Sequence, residues 1–275
     1  MKICLLAESV QNPVLAAALD QLAERHSVLV RDPQTIAVKP FPQRPAELQD
    51  VDMYLLKSRS AGARRFAREA QRVGAVVLNS PQATSSALNR ARMSTLLRRG
   101  GVPIPKTWAF NRVSDIVRDR AQLPWPMVVK SRISRRGDLV TRINGAGDLL
   151  DLLPAWGNEP AIVQEFAPND GFDLKFWVIG GQVSAARRPC ALESRDTGQD
   201  VPIDPTELPA EWVQVVLGAG AALGLDLFGV DLLISEDRPI VIDVNAFPGF
   251  RGAPGAATSL AEFVERRTTE RRLCA

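Results

Sequence analysis

Residues 225–252 read LDLFGVDLLISEDRPIVIDVNAFPGFRG, and the fold of the chain turns on this stretch. Two apolar runs, 228–234 and 239–244, flank the polar turn Ser235-Glu236-Asp237-Arg238, which is the pattern of a β-hairpin. A turn centred on Asp237 sets Asp231 directly opposite Asp243, and cross-strand neighbours have Cβ atoms ~4.5–5.5 Å apart. Asn245, two residues past Asp243, points to the same face. Carboxylates this close repel unless a cation lies between them. Two carboxylates and an amide oxygen are hard oxygen ligands, suited to a Mg²⁺ ion that keeps waters and takes substrate phosphates. The apolar residues around them leave these polar groups in need of partners, so Asp231, Asp243 and Asn245 are the expected metal ligands. Phe247-Pro248-Gly249-Phe250 then turns the chain sharply away.

Composition narrows the function classes. The 275 residues are 45% hydrophobic and 24% charged, an ordinary soluble globular balance with room for one large domain or two to three small lobes. The N-terminal apolar run meets Glu8 and Ser9 at once, which makes it a first strand rather than a signal peptide or membrane helix. Cys4, Cys190 and Cys274 are odd in number and lack metal-ligand spacing, so a reduced, cytoplasmic protein is expected. The single histidine, His26, argues against a His-based metal site or a Ser-His-Asp triad. The net charge is +3 with a pI of about 9.0, but there is no aromatic stripe among the basic residues and no long basic tail. An anionic small molecule therefore fits better than nucleic acid.

Gly229-Val230-Asp231, Ile242-Asp243-Val244-Asn245 and Phe247-Pro248-Gly249 together resemble the C-terminal metal motif of the ATP-grasp enzymes. VIDVNAFPGF is similar to the inositol trisphosphate 5/6-kinase branch. RimK-like amino-acid ligases share the spacing but usually carry Glu at the position of Asp243. The resemblance implies an α/β ATP-grasp fold of three lobes, with ATP and Mg²⁺ between the central and C-terminal ones. The lobes are expected at 1–80, 81–185 and 186–275.

The rest of the chain fills in this outline. Strands at 2–7, 27–31, 51–57 and 75–78 alternate with helices at 13–26 and 61–73, a small parallel lobe interrupted by a loop through Pro33, Pro40, Pro42 and Pro45. Lys57 ends its strand, where open α/β sheets gather ligands. Ser80 or Thr84 caps a helix running to Arg99, and Gly100-Gly101 closes it before the extended linker 102–107. That segment resembles the ATP-grasp entry helix, which usually carries Asp-Lys near its start. The matching positions read Ala91-Arg92, which gives Arg92 the role of reaching nucleotide phosphates, with Arg90 close by. The strand 126–130 delivers Lys130 to the loop 131–138, and a point charge beside backbone N–H donors makes a phosphate clamp. The family loop is glycine-rich; here Gly137 stands among Arg132, Arg135 and Arg136, which suits an anionic substrate.

Residues 161–166 form a strand ending Gln164-Glu165-Phe166, which the resemblance makes the hinge that hydrogen-bonds adenine. Runs 173–179 and 182–188 form a hairpin around Gly180-Gly181. It pairs Lys175 with Ala186 and Asp173 with Arg188, so these three charged side chains share one face and Arg187 lies on the other. Residues 193–209 read as a polar loop that orders on substrate, 212–223 as a helix closed by Gly224, and 257–272 as a terminal helix. The resemblance adds Asp173 and Lys175 to Arg92, Lys130, Gln164, Glu165 and Phe166 as nucleotide contacts. It makes Lys175 and Arg188 the catalytic cations, and gives Lys57, Arg188, Asn245 and Gly249 to the substrate.

The chemistry implied is transfer of the γ-phosphoryl group of ATP by positioning and charge neutralisation, without a protein nucleophile. A carboxylate–amine ligase working through an acyl phosphate is the leading expectation, because the chain is short and lacks a central-lobe histidine. A kinase acting on an inositol phosphate or other polyol is the alternative, suggested by Asp243, Lys175, Arg188-Pro189 and the FPGF wording. A nucleotide-binding module without catalysis comes third. Expected partners are an anionic small molecule (a carboxylate plus an amine, or a polyol phosphate), with neither nucleic acid nor membrane among them and a homo-oligomer left open.

Overall fold

The computed structural model describes residues 1–36, 48, 50–190, 192 and 200–274, with side chains as far as residue 269. Pro40, Pro42 and Pro45 and the first part of the 193–209 loop lie outside the described residues. At the N-terminal end, β1 (Lys2–Leu6), β2 (Ser27–Arg31), β3 (Met53–Leu56) and β4 (Val76–Leu78) form a parallel sheet in the order β2-β1-β3-β4. The crossover helices α1 (Pro13–Ala23) and α2 (Ala61–Arg72) cover it. Leu15, Ala18, Leu19 and Leu22 recur at helical spacing and form the buried stripe of α1. The Asn12 side chain caps this helix by accepting from the backbone N–H groups of Val14 at 3.0 Å and Leu15 at 3.2 Å.

The expected single helix from 80 to 99 is two helices, α3 (Pro81–Leu88) and α4 (Arg90–Arg99). Asn89 between them has extended φ and ψ, bridges to Ile133, and caps α4 by accepting from Arg92 N–H at 3.2 Å. An Asn in mid-helix offers the backbone an alternative to helical bonding, and here it takes that alternative.

Residues not assigned from the sequence supply β5 (Thr107–Phe110), α5 (Val113–Asp119), α6 (Ala146–Asp151) and α7 (Leu153–Trp156). The strand β5 joins β6 (Met127–Ser131), β7 (Val140–Ile143) and β8 (Ala161–Glu165) in an antiparallel sheet of order β5-β8-β6-β7. Met127, Val129 and Val163 pack there against Val113, Ile116 and Leu149 in a core of their own.

The third sheet holds β9 (Phe172–Ile179), β10 (Gln182–Pro189), β11 (Val201–Ile203), β12 (Leu227–Ser235) and β13 (Arg238–Ala246) in the order β11-β10-β9-β12-β13. The short edge strand β11 occupies part of the stretch expected to be loop. A lobe boundary at 185/186 would fall inside β10 and part it from β9 along their shared ladder; by sheet membership the division lies in 166–171. One face of this sheet packs on α3, α4 and α8 (Ala210–Leu223). Its other face packs, through Trp177, Ile179, Leu227, Phe247 and Phe250, on α1 and on α9 (Ala256–Cys274). The β9–β10 turn lies under α9 so closely that a Cβ on Gly180, whose φ is +56°, would stand 2.2 Å from the Phe263 ring.

Candidate active site

The site is built on the β12–β13 hairpin and on β9 beside it. Glu236 and Asp237 both have positive φ, which makes a two-residue turn between Ser235 and Arg238. Counting from that turn would set Asp231 against Ile242. A β-bulge intervenes, however: Leu232 pairs with Val241, Asp231 with Asp243 and Gly229 with Asn245, leaving Ile242 without a partner in the ladder. The expected pairing of the two aspartates therefore exists, with one residue placed in the bulge rather than in the turn. The unpaired Ile242 carbonyl accepts from Lys130 Nζ, arriving from the central sheet, at 2.9 Å.

Lys175 on β9 pairs with Asp231 in register and its ammonium binds the Asp231 carboxylate. Arg188 Nη2 reaches the same Asp231 oxygen at 3.2 Å, and Arg188 also binds Asp173, its cross-strand neighbour. The expected shared face of Asp173, Lys175 and Arg188 is thus a cation–carboxylate network around Asp231. Burial alone would push Asp231 up, but Lys175 and then Arg188 outweigh it and hold its carboxyl below the usual range. Asp173 goes the other way: burial raises it, and Arg188 offsets only part of that. Burial pushes the Lys130 ammonium down to about 8, against the attraction of Asp243.

Asp243 Oδ1 is buried and has no hydrogen-bond partner, the condition of an oxygen shaped for a cation. Among the described residues its ion-pair partner is Arg90, with Nε at 3.8 Å. Asn245 Oδ1 accepts from Arg59 Nη2 at 3.1 Å. Among the described residues no three His, Cys, Asp or Glu side chains gather closely enough to hold a metal by themselves. Two carboxylates, an amide and open positions for phosphate oxygens nonetheless suit Mg²⁺, which seldom takes an all-protein cage.

Between the central and C-terminal sheets runs an apolar slot of about 30 Å³. Lys130, Phe166, Cys190, Leu192, Leu233 and Ile242 line it, with the strand end Gln164-Glu165 along one side. The Arg142 guanidinium stacks on the Phe166 ring, 4.1 Å from its centroid. Gln164 turns its side chain to Thr107, donating to Oγ1 at 3.4 Å.

Two expected positions, Arg92 and Gly249, fall differently, and the loop arginines go separate ways. Arg92 is exposed on α4. Arg90, two residues earlier, is buried and donates to Asp138 Oδ2 at 2.5 Å and to the Ser131 carbonyl at 2.9 Å. The break at Asn89 starts a new helix and aims its first residue, not its third, at the site. The same contacts hold the loop 131–138, so an arginine–aspartate pair stabilises a loop that was expected to depend on glycine. Gly249 gives its carbonyl to Asn12 Nδ2 at 2.9 Å, and a Cβ there would stand 2.5 Å from that nitrogen, so the residue packs the FPGF turn against the start of α1. Of the loop arginines, Arg132 turns to Phe110 and Asn111 and Arg135 pairs with Glu159 at 2.6 Å. Arg136 lines a second cleft together with Lys57. Arg187 lies on the surface with Asp170.

Sequence reasoning set Arg90 beside Arg92 without choosing it, and passed over Asp138, Cys190 and Arg59 as site residues. Asn89 as a cap signal could have decided for Arg90.

Comparison with known proteins agrees with this architecture. The model of the RimK-like ATP-grasp domain family matches residues 87–261. A probable alpha-L-glutamate ligase of Thioalkalivibrio sulfidiphilus is 30% identical over 217 residues, which is 74% of this chain and 72% of that one. Among solved structures, a RimK domain ATP-grasp protein from Sphaerobacter thermophilus has a TM-score of 0.76 at 20% identity, covering 96% of this chain and 99% of that chain. D-alanine–D-alanine ligase from Bacillus anthracis has a TM-score of 0.72 at 15% identity over the full length of both chains.

Proposed function

This chain belongs to the RimK-like ATP-grasp domain family, and from that premise we propose that it is an ADP-forming carboxylate–amine ligase using ATP and Mg²⁺. The γ-phosphoryl group passes from ATP to a substrate carboxylate, giving an acyl phosphate and ADP. An amine then attacks the acyl carbon, an amide forms, a proton leaves the nitrogen and phosphate departs. The likeness to relatives named as ligases favours this outcome over a kinase, since the phosphoryl-transfer constellation serves both.

The chain's own groups fit the work. Lys130, which lines the apolar slot, would meet nucleotide phosphates whose base lies beside Phe166. Lys175 and Arg188, now occupied by Asp231, are the cations that face charge developing on the transferred group. Mg²⁺ held by Asp231, Asp243 and Asn245 would neutralise phosphate oxygens. No membrane-spanning helix exists among the described residues, and the acceptor we propose is an anionic small molecule or peptide end.

The test is turnover of ATP labelled in the γ-phosphate with pools of carboxylates and amines. A ligase releases ADP and inorganic phosphate, and its product gains the mass of an amide but no phosphorus. A stable phosphorylated organic product would instead assign the chain to the kinase chemistry.

A further inference from the structure

Arg90 lies between two carboxylates, Asp138 of the loop 131–138 and Asp243 of β13, and it is 5% exposed. Its Nη1 is bound twice, to Asp138 Oδ2 at 2.5 Å and to the Ser131 carbonyl at 2.9 Å. Its Nε faces Asp243 Oδ1 at 3.8 Å, too far for a hydrogen bond. Among the described residues neither of these two buried atoms has a hydrogen-bond partner. A donor and an acceptor of opposite charge thus stop about 1 Å short of the ~2.9 Å at which an N–H···O bond forms. Buried polar groups ordinarily pair, so something holds these two apart.

The restraint comes from the loop. A guanidinium is a rigid planar fork, and with Nη1 held by two acceptors its Nε has little freedom. Asp138 is itself pinned: its Oδ2 accepts from Arg135 N–H at 3.3 Å, and its own N–H donates to the Arg135 carbonyl at 3.4 Å. Gly137 lies within that turn at a φ of +70°. The next residue, Leu139, is tied to Ser131 in both directions. Leu139 N–H donates to Ser131 Oγ at 3.0 Å, and the Leu139 carbonyl accepts from Ser131 N–H at 2.8 Å. The carboxylate of Asp138 is therefore a fixed post on the central sheet, nearer to Arg90 than Asp243 is.

We propose that Asp138 is a positioning residue for cation loading. By retaining Arg90 beside the central sheet, it keeps Asp243 Oδ1 open to the metal that enters with the nucleotide. Released from Asp138, Arg90 would close on Asp243 and fill that oxygen as a tethered cation. The proposal rests on the reading of Asp243 as a metal ligand, and adds to it a residue that acts only through Arg90.

The experiment has a ligand-free arm and a metal arm. Without metal or nucleotide, melting temperatures are compared for the wild type, Asp138→Asn, Asp243→Asn and the double variant. Asp243 Oδ1 bonds nothing in the wild type, so Asp243→Asn alone should shift Tm by no more than about 2 °C. In Asp138→Asn the arginine has moved to Asp243. Adding Asp243→Asn should then strand it and lower Tm by at least about 4 °C below that of Asp138→Asn. Equal shifts in the two backgrounds would overturn the proposal. So would failure of Asp138→Asn to fold, because Arg90 is expected to find its replacement partner in Asp243.

In the metal arm, Tm is followed against MgCl2 at saturating ADP. The half-point for Asp138→Asn should lie at least about tenfold above that of the wild type, while Asp138→Glu, which keeps the charge, should stay within about threefold. A glutamate variant as impaired as the asparagine variant would show that the shape of the loop matters and not the charge, and would overturn the proposal. An unchanged half-point in Asp138→Asn, with Asp243→Asn abolishing the response to Mg²⁺, would refute the positioning role and leave the metal site standing. An unchanged response in Asp243→Asn would refute the metal reading itself, whatever the ligand-free arm shows.

Discussion

Replacing Lys130 by Met should make the protein more stable at neutral pH while removing its affinity for ATP. The Lys130 side chain is 6% exposed, and its pKa falls from the ordinary 10.5 to about 8. That fall means that keeping it charged at pH 7 costs the fold about 3 kcal/mol relative to water. Met has similar length and suits the surrounding Val128, Leu233 and Ile242. What it loses is the bond to the Ile242 carbonyl at 2.9 Å, and leaving that acceptor unmade costs about 1–3 kcal/mol. The net gain at pH 7 is therefore modest, about 1 kcal/mol.

The pH dependence separates the two contributions. Because the folded-state pKa of this lysine is depressed, the unfolded chain binds more protons between about 8 and 10.5. Wild-type stability should therefore rise with pH across that window, while the carbonyl's loss is indifferent to pH. The stability advantage of Lys130→Met should shrink by about 2 kcal/mol between pH 7 and pH 9.5, measured by urea unfolding of both proteins without nucleotide. A difference that stays constant across those two pH values would refute the assignment of Lys130 as a charge forced into an apolar slot.

Three further outcomes test the site and its supports. Arg90→Ala should lose about 3–5 kcal/mol by stranding Asp138 and should lose ATP-induced stabilisation, whereas Arg92→Ala should change stability by no more than about 0.5 kcal/mol; thermal melts with and without ATP and Mg²⁺ read both. Asp243→Asn keeps the shape of the side chain but removes its charge, and ADP release should fall by about two orders of magnitude or more at unchanged melting temperature. Gly180→Ala drives a methyl into the Phe263 ring at positive φ and should cost at least about 1–3 kcal/mol by chemical denaturation, with the bare active site untouched.

Much of the site could be read from the sequence because its parts lie on neighbouring strands of regular hairpins. Gly180-Gly181 fixed the β9–β10 register, and with it the pairing of Asp173 with Arg188. The pairing of Asp231 with Asp243 was also legible, although through a turn one residue longer than the real one. What escaped was set by irregularity or by distance along the chain. A helix assumed continuous through Asn89 hid the fact that Arg90, not Arg92, turns inward. Cys190 and Leu192 line the slot beside Phe166, about 25 residues away along the chain, and no local pattern reports that. An anionic substrate was expected from the loop arginines, of which Arg135 and Arg136 line the cleft that Lys57 enters, Arg135 already paired with Glu159.

The bulge at Ile242 gives the hairpin a residue of slack, and the choice of where to store it is consequential. The two aspartates would meet equally well across a straight ladder closed by a three-residue turn. Moving the spare residue from the bulge to the turn, by deleting Ile242 and inserting a glycine between Glu236 and Asp237, should thus keep Asp231 opposite Asp243. It would remove the bulged peptide group whose carbonyl Lys130 now holds. One peptide group out of step with the rest thus gives the hairpin its bond to Lys130 of the central sheet.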